Sequence, residues 1–266
     1  MLLLVFIICL LASVVGAICG IGGGIVIKPS LDFFFFGKMS VSAVSFLSGC
    51  TVLSMTCYTV GHSFYEGKNT IDLKIASLLA VGAILGGIGG KELFAIVQNR
   101  FSNQDTVGAV QAVCLFAVTF ATLLYIIRKK HIRTRRISSP PLLAAIGLCL
   151  GLMSSFLGIG GGPINLVVLS YFFSMDTKTA ALNSLCVILF SQAAYVATML
   201  LTRATPDFEW TILALMISGG ICGGIIGRIF NRRLDNHAVE KLFISLLCFI
   251  LFICVYNTWK FSGFRF

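Results

Sequence analysis

The chain has 266 residues, of which 58% are hydrophobic and only 11% are charged, and its mean hydropathy is +0.98. Soluble globular domains carry about 25% charged residues, so this composition excludes a soluble enzyme or binding domain. The net charge of +10 is carried mostly by short segments between apolar runs, which is typical of membrane topology rather than of nucleic-acid binding. We therefore expect an all-α polytopic membrane protein whose surroundings are the lipid bilayer, with no nucleic-acid partner.

The hydrophobic pattern predicts ten helices, five in each half of the chain. In the first half they are expected over 2–18, 24–36, 41–60, 71–90 and 107–127. In the second half they are expected over 142–157, 161–174, 179–201, 211–228 and 241–259. The chain is thus predicted to hold a first transmembrane repeat over 1–127, a basic cytoplasmic linker over 128–141, and a second transmembrane repeat over 142–266.

A glycine cluster occurs at equivalent places in the two halves. Gly20–Gly24 has the sequence GIGGG, which returns 138 residues later as Gly158–Gly162. The helix predicted after each cluster has about 13–14 residues and a length of roughly 20 Å at 1.5 Å per residue, which is short for a bilayer span. We therefore expect a Gly-rich broken or re-entrant helix in each half, with the glycine cluster as its tip.

A second glycine series also repeats, in the fourth predicted helix of each half. Its members are Gly82, Gly86 and Gly90 in the first half and Gly219, Gly223 and Gly227 in the second, at an offset of 137 residues. Glycines spaced by four lie on one face of a helix, and such faces allow helices to pack closely. The two series indicate that nearly the whole chain is one duplicated unit.

The distribution of Lys and Arg predicts how the repeats are oriented. If each glycine cluster is a true turn, the segments 61–74, 128–141, 175–178 and 228–241 share one side and carry 13 of the 20 basic residues. If each cluster lies within a single span, eight spans result and the basic residues divide 11 to 9. The positive-inside rule favours the first arrangement. It places both termini outside and makes the two halves inverted repeats.

The glycine clusters are candidates for an anion site made of backbone. The first turn of a helix has unpaired N–H groups and about half a positive charge, and glycine lets a ligand approach the backbone closely. Two tips meeting near the midplane would hold one anion between them. The glycines expected to do so are Gly22, Gly23, Gly24, Gly160, Gly161 and Gly162. The alternative is that both clusters serve only close helix packing, but two copies at equivalent positions favour a site.

Polar side chains near the clusters are candidates to complete this site. Lys28 follows the first cluster and could add a positive charge, although Asp32, four residues further on, could simply pair with it. Hydroxyl and amide groups can donate to an oxyanion without carrying a charge. The further candidates of this kind are Ser45, Asn165, Asn183 and Ser184. Each of them could instead make a hydrogen bond between packed helices.

Signatures of an enzyme are missing from the chain. His62, His131 and His237 fall in predicted loops, which argues against a metal site inside the membrane. The glycine-rich stretch 86–92 lacks the first glycine and the Ser or Thr of a phosphate-binding loop. We therefore expect no catalytic residue, no metal and no cofactor.

These motifs resemble those of the sulfite exporter TauE/SafE family, also called TSUP. The resemblance rests on the first glycine cluster with Pro29, on the second cluster with Pro163, and on the glycine-rich fourth helix of each half. It covers nearly the full length. It implies a transporter of sulfur-containing anions, such as sulfite, sulfoacetate and related sulfonates, in the bacterial plasma membrane. The residues alone indicate only a small anion.

Outward movement of an anion is the direction that we expect. Moving one negative charge out across an inside-negative membrane gains about 2.3 kcal/mol per 100 mV, so export needs no coupling ion. Two alternatives stay open. One is an ion-coupled importer of a small anion, and the other is a non-transport membrane subunit of a sulfur-metabolism complex. The residues also leave open which anion is carried and whether the protein forms a homodimer.

Overall fold

A computed structural model of the chain describes residues 2–35, 39–66, 73–101, 104–129, 132, 134–137, 139–159 and 161–261. The described part is all-helical, as predicted. Its helices are α1 (Leu2–Cys19), α2 (Gly24–Phe34), α3 (Val41–Tyr65), α4 (Leu73–Arg100), α5 (Gln104–Arg128), α6 (Pro140–Leu157), α7 (Pro163–Phe173), α8 (Thr177–Leu201), α9 (Trp210–Arg233) and α10 (Asn236–Phe261). By length and composition, eight of these helices could cross a membrane. The other two are α2 and α7, with 11 residues each.

Several helices extend further than the hydrophobic pattern predicts. α4 ends at Arg100 rather than at 90, and α9 ends at Arg233 rather than at 228. Lys, Arg, Glu and Gln are good helix formers, so a helix can continue past its apolar part. For the same reason the prediction of loops around two histidines is wrong, because His62 lies in α3 and His237 in α10. His131 lies outside the described residues.

The first glycine cluster turns the chain back beside α1. The backbone N–H of Ile21 donates to the carbonyl of Gly16 at 3.1 Å. A Cβ atom at Gly16 would lie 2.1 Å from the backbone nitrogen of Gly23, so α2 starts in direct contact with α1. Gly22 and Gly23 have φ angles of 82° and 68°, in the left-handed region that other residues rarely adopt. The predicted break in the first half is confirmed.

The second cluster makes a similar turn between α6 and α7. Gly158 ends α6 with a φ of 63°, and its N–H donates to the carbonyl of Ser155. Gly162 is in the position before α7, which begins at Pro163. Proline is favoured at the first position of a helix because its missing N–H would be unpaired there anyway. The predicted break in the second half is confirmed as well.

The glycine series of α4 packs against the first helix of the other half. A Cβ atom at Gly82 would lie 2.0 Å from the carbonyl oxygen of Ala144, and one at Gly86 would lie 2.1 Å from that of Leu148. Both carbonyls belong to α6. The contacted residues advance along α6 as the glycines advance along α4, so these two helices run side by side in the same direction.

The glycine series of α9 makes the equivalent contact with α1. Cβ atoms at Gly223 and Gly227 would each lie 2.5 Å from a carbonyl oxygen, that of Leu10 in the first case and that of Val14 in the second. α9 and α1 therefore also run in the same direction. The prediction that both series serve close helix packing is confirmed, and each half packs its fourth helix on the first helix of the other.

The described residues at the C-terminal ends of α3, α5, α7 and α9 lie at one end of the molecule, which we call the basic end. Lys129, after α5, pairs with Glu240 near the start of α10 at 3.1 Å. The ammonium of Lys178, at the start of α8, donates to the carbonyl of Leu234 between α9 and α10 at 2.9 Å. Glu66, after α3, contacts the last turns of α9. The described residues of the four basic segments thus lie on one side.

Candidate functional site

The two glycine tips touch each other inside the molecule. A Cβ atom at Gly24 would lie 2.0 Å from the carbonyl oxygen of Ile159, so the backbones of the tips are in direct contact there. The side chains of Ile21, Ile25 and Ile159 are at most 1% exposed, and they belong to one hydrophobic cluster. Glycine at position 24 is what allows this approach, because any side chain would push the tips apart.

Each tip also packs on the third helix of the other half. A Cβ atom at Gly20, whose φ is 74°, would lie 2.2 Å from the Cα atom of Ala181 in α8. In the equivalent place, a Cβ atom at Gly158 would lie 2.6 Å from the Cβ atom of Ser45 in α3. Each tip is therefore enclosed by the other tip and by a helix of the opposite half.

Ser45 and Asn165 lie beside the second tip and are buried without hydrogen-bond partners. Ser45 contacts Gly158, and the amide nitrogen of Asn165 is 3.4 Å from where a Cβ atom of Gly161 would be. Both side chains are 1% exposed. Within the described residues, neither the hydroxyl of Ser45 nor either amide atom of Asn165 has a hydrogen-bond partner. An unpaired buried polar group costs about 1–3 kcal/mol, so such groups mark a place where a polar ligand would be stabilised.

Two more of the predicted residues lie on α8, close to the first tip. Asn183 and Ser184 are completely buried, within one turn of Ala181, which contacts that tip. The amide nitrogen of Asn183 donates to the carbonyl of Thr179 at 2.9 Å. The hydroxyl of Ser184 has no partner in the part of the chain that the structure describes. α8 thus brings polar side chains toward the first tip, as α3 does toward the second.

The glycines of the predicted site are found at the tips, except that Gly160 lies outside the described residues. Gly161 has a φ of 115°, where a side chain would be strained, and a Cβ atom there would lie 2.3 Å from the side chain of Ile188. Gly162 has an extended backbone instead. A Cβ atom there would lie 3.6 Å from its nearest neighbour, the side chain of Ile159, which is an ordinary van der Waals contact.

Lys28 makes buried contacts of its own at the interface of α2 and α5. Its ammonium donates to the side-chain oxygen of Gln111 at 2.6 Å and lies 3.7 Å from the carboxylate of Asp32. The amide of Gln111 in turn donates to the carbonyl of Phe156 at 2.7 Å. The structure therefore brings Lys28 to the last turn of α6 and leaves its charge paired, rather than directed at the glycines. Gln111 was missed because nothing in the local sequence marks it.

A void of about 10 Å³ adjoins Lys28, Asp32 and Gln111 and is also lined by Asn257. Such a space is about large enough for one water molecule. No group of three or more His, Cys, Asp or Glu side chains that could hold a metal ion is found among the described residues.

A larger cavity, of about 290 Å³, opens at the basic end and was not predicted as a site. Its walls come from the last turns of α3 and α9 and the first turns of α8, and Ala17 near the end of α1 closes one side. The polar and charged residues in these walls include Ser63, Glu66, Lys178, Arg228, Asn231 and Arg232. The sequence offers one signal for it, because Arg228 is equivalent to Lys91 in the first repeat.

Comparison with known proteins identifies the family. The model of the family described as "Sulfite exporter TauE/SafE" matches residues 5–253. The protein named "Probable membrane transporter protein YunE" of Bacillus subtilis is 25% identical to the chain, over 91% of this chain and 92% of that protein. "Probable membrane transporter protein YdhB" of the same organism is 22% identical, over 90% of this chain and 94% of its own length.

A longer relative is "Probable membrane transporter protein MamO" of Magnetospirillum gryphiswaldense, which is 24% identical to the chain. The match covers 91% of this chain but only 43% of that protein. No solved structure matches the chain. The family match spans nearly all ten helices, and the relatives that the chain covers almost completely are named as membrane transporters. The chain belongs to the sulfite exporter TauE/SafE family and is a multi-span transporter of the cell membrane, not an enzyme.

Proposed function

We propose that this transporter exports small sulfur-containing anions, such as sulfite or organosulfonates, and holds them at the two glycine tips near the membrane midplane. The observation that carries the proposal is the pair of buried, unpartnered side chains beside the second tip. Ser45 and Asn165 offer a hydroxyl and an amide N–H that find no acceptor among the described residues. An anion at that place would accept both.

The chemistry of the tips suits an oxyanion. A sulfite or sulfonate group has three oxygens that accept hydrogen bonds in different directions, so it can use several neutral donors at once. The N-termini of α2 and α7 each add about half a positive charge. The N–H groups of Gly24, Val26 and Asn165 are themselves bonded to carbonyls of the tips, and Pro163 has none, so the side chains are the main donors. Neutral donors suit a carrier because they hold the anion without the strong attraction of a full charge, so release stays possible.

The directions of the helices support the view that the halves are inverted repeats. α1 and α9 run together, and so do α4 and α6. α3 runs with α9, because Gly220 contacts Thr51 and Gly224 contacts Met55. Since α4 must return from the end of α3, α6 runs opposite to α1. The first helix of one half then opposes the first helix of the other, which is the arrangement that transporters use for alternating access.

The basic end supports export as the direction. Positively charged segments stay in the cytoplasm, so the cavity of about 290 Å³ faces the cell interior in this arrangement. An anion that enters from the cytoplasm and leaves outside moves down an inside-negative potential, which contributes about 2.3 kcal/mol per charge and 100 mV.

Anion flux into proteoliposomes that contain the purified protein tests this proposal. The panel holds sulfite, sulfoacetate, thiosulfate, sulfate and acetate, each at imposed membrane potentials of both signs. We expect selective flux of a sulfur oxyanion that is accelerated when the potential pulls the anion across. Flux of none of these anions at either potential would contradict the proposal and favour a membrane subunit that works only with a partner.

The buried pair of Lys28 and Asp32 supports a second candidate, an ion-coupled importer. Ionisable side chains inside a membrane often belong to proton relays, and this pair lies within 3.7 Å beside a small void. The substitution Asp32→Asn distinguishes the two. Under uncoupled export the variant keeps the pH dependence of wild-type flux. If it loses flux together with that pH dependence, proton coupling replaces our proposal.

A further inference from the structure

Arg228 occupies the centre of the wall of the cavity at the basic end. One terminal nitrogen of its guanidinium donates to the carbonyl of Thr59 at 2.7 Å and also contacts the hydroxyl of Ser63. The other terminal nitrogen donates to the carboxylate of Glu66 at 2.9 Å. The third nitrogen, Nε, is buried and has no hydrogen-bond partner among the described residues. The guanidinium therefore keeps a donor that the helices around it do not use.

Glu66 bridges the cations at the mouth of this cavity. One of its carboxylate oxygens contacts Arg228, and the other contacts Arg232 and lies 3.0 Å from the imidazole nitrogen Nδ1 of His62. Two guanidinium groups that share one carboxylate form a site for a small oxyanion, because planar N–H forks match the geometry of such groups. The carboxylate of Glu66 thus lies where a bound oxyanion would lie between the two guanidinium groups.

The charges that line the cavity do not balance. Lys178, Arg228 and Arg232 are cationic, and Glu66 is the one acidic residue among the described residues of its walls. The N-terminus of α8 is already capped, because the carboxylate of Asp176 accepts from the N–H of Thr179 and the side chain of Asn236 accepts from that of Lys178, so the cationic side chains are the groups available to an anion. A volume of about 290 Å³ is large enough for a sulfite or a small sulfonate together with several water molecules.

The cavity reaches the wall of the first glycine tip. Ala17 and Ala181 are among its lining residues, and Ala181 is the residue against which Gly20 packs. The amide of Asn231, also in the lining, donates to the carbonyl of Ile18 at 2.7 Å and so ties α9 to the end of α1. An anion in the cavity would therefore be separated from the tip by little more than the contact between Gly20 and Ala181.

The equivalent cation of the first half occupies an equivalent position. Lys91, 137 residues before Arg228, lies in α4 and donates to the hydroxyl of Thr202 at the end of α8, at 2.9 Å. Arg228 lies in α9 and binds the end of α3 in the same manner. Lys91 is 7% exposed, whereas Arg228 lines an open cavity. Each repeat thus has a cation at the equivalent position of its fourth helix. Such a pair is expected if the anion moves past one cation on the cytoplasmic side and past the other on the outer side.

We propose that the cavity at the basic end is the loading site for the transported anion, and that a small oxyanion binds there in place of the Glu66 carboxylate at Arg228 and Arg232. This inference rests on the proposed function, since it names the site through which the same anion reaches the glycine tips. Glu66 offsets one of the three positive charges when the site is empty, and an anion must compete with it at Arg228 and Arg232.

Equilibrium binding of radiolabelled sulfite to the purified protein in detergent tests this assignment. The variants are Glu66→Gln, which removes the competing charge but keeps the shape, and Arg228→Gln, which removes the central cation. Arg233→Gln is the matched control, because Arg233 is exposed beside Arg232 and does not line the cavity. Sulfate serves as a competitor that tests whether the site takes oxyanions as a class.

We expect Glu66→Gln to lower the Kd for sulfite at least about threefold and Arg228→Gln to raise it about tenfold, which corresponds to about 1.4 kcal/mol. The control is expected to bind like the wild type. The opposite sign for Glu66→Gln, or an unchanged Kd for Arg228→Gln, would overturn the assignment. If Glu66→Gln does not fold, the assignment is tested by comparing the Kd for sulfite of Arg228→Gln with that of Arg233→Gln.

Flux measurements separate this inference from the proposed function. If wild-type protein transports sulfite but Arg228→Gln leaves both KM and Kd unchanged, the loading site is wrong and the function stands. If wild-type protein binds sulfite in an Arg228-dependent way but moves no anion, the proposed function is wrong and the binding site stands.

Discussion

At the scale of single residues, two buried polar side chains beside the second glycine tip lack hydrogen-bond partners. Ser45 and Asn165 are 1% exposed and have no hydrogen-bond partner among the described residues. A residue that served only to join packed helices would be expected to make such a bond. Burial without a hydrogen-bond partner is expected of side chains that bind a polar ligand. Each side chain can be tested separately.

Replacing Asn165 tests its role as a donor to the anion. We expect Asn165→Ala to raise the KM for sulfite about tenfold, because a hydrogen bond to a charged group is worth about 1.5–3 kcal/mol. We expect Asn165→Asp to reduce transport further, since a carboxylate would repel the anion. Initial rates of sulfite uptake into proteoliposomes measure both variants. An unchanged KM in both variants would show that Asn165 is structural.

Lys28 shows how much of an environment local sequence leaves open at this scale. Its place four residues after Gly24 and its charge inside an apolar helix indicated either a ligand for an anion or a pair with Asp32. The structure pairs it with Asp32 and Gln111, and Gln111 is 83 residues away in the chain. A partner so distant cannot be identified from local spacing. By contrast, Asn165 could be placed near a tip, because it follows the second glycine cluster closely. Ser45 was a candidate as a polar residue of the third helix, and the structure places it beside the tip of the other half.

At the scale of elements, the glycine faces determine how the helices pack. Gly86 is in contact with the backbone of Leu148, where a Cβ atom would be 2.1 Å from the carbonyl oxygen. Gly89 is in the same helix, yet a Cβ atom there would meet nothing within 4 Å. The two positions therefore form a matched pair for a stability measurement.

We expect Gly86→Ala to destabilise the protein by about 1–3 kcal/mol, which is typical of overpacking. Gly89→Ala is expected to be neutral or stabilising, because alanine is favoured over glycine inside a helix by about 1 kcal/mol. The midpoint of thermal unfolding in detergent, measured for both variants, checks this. Equal midpoints for the two variants would mean that the packing of α4 on α6 does not require glycine at position 86.

The sequence predicted the elements better than their ends. Glycine spacing and hydropathy indicated the ten helices and the two breaks, because both patterns follow from local physical requirements. The ends of α4 and α9 were missed, since polar residues such as those before Arg100 continue a helix outside the apolar layer. The cavity at the basic end was missed as well. It depends on the crossing of α3 and α9, and Arg228 is 162 residues from Glu66.

At the scale of the whole molecule, the basic end predicts which face lies in the cytoplasm. Ser139 in the linker and Ala204 between α8 and α9 are both exposed and belong to opposite ends of this arrangement. In intact cells, we expect a membrane-impermeant maleimide to label Ala204→Cys but not Ser139→Cys. The wild-type protein, with ten cysteines of its own, gives the background. Labelling of Ser139→Cys alone would reverse the orientation and with it the direction that we propose.

The contact between the two tips joins the two halves of the molecule at the proposed anion site. Gly24 and Ile159 come from different halves, and their backbones touch only because position 24 has no side chain. A methyl group there would separate the tips and disturb the donors around them. Gly61 offers a control, because it is also a helical glycine but a Cβ atom there would meet nothing within 4 Å.

An anion site at the glycine tips can be tested by the initial rate of potential-driven sulfite flux in proteoliposomes for Gly24→Ala and Gly61→Ala. Both variants are first shown to be folded and monodisperse by size-exclusion chromatography. We expect Gly24→Ala to lose at least about tenfold in rate, equivalent to about 1.4 kcal/mol, and Gly61→Ala to transport like the wild type. Wild-type flux and KM in folded Gly24→Ala would contradict an anion site at the glycine tips.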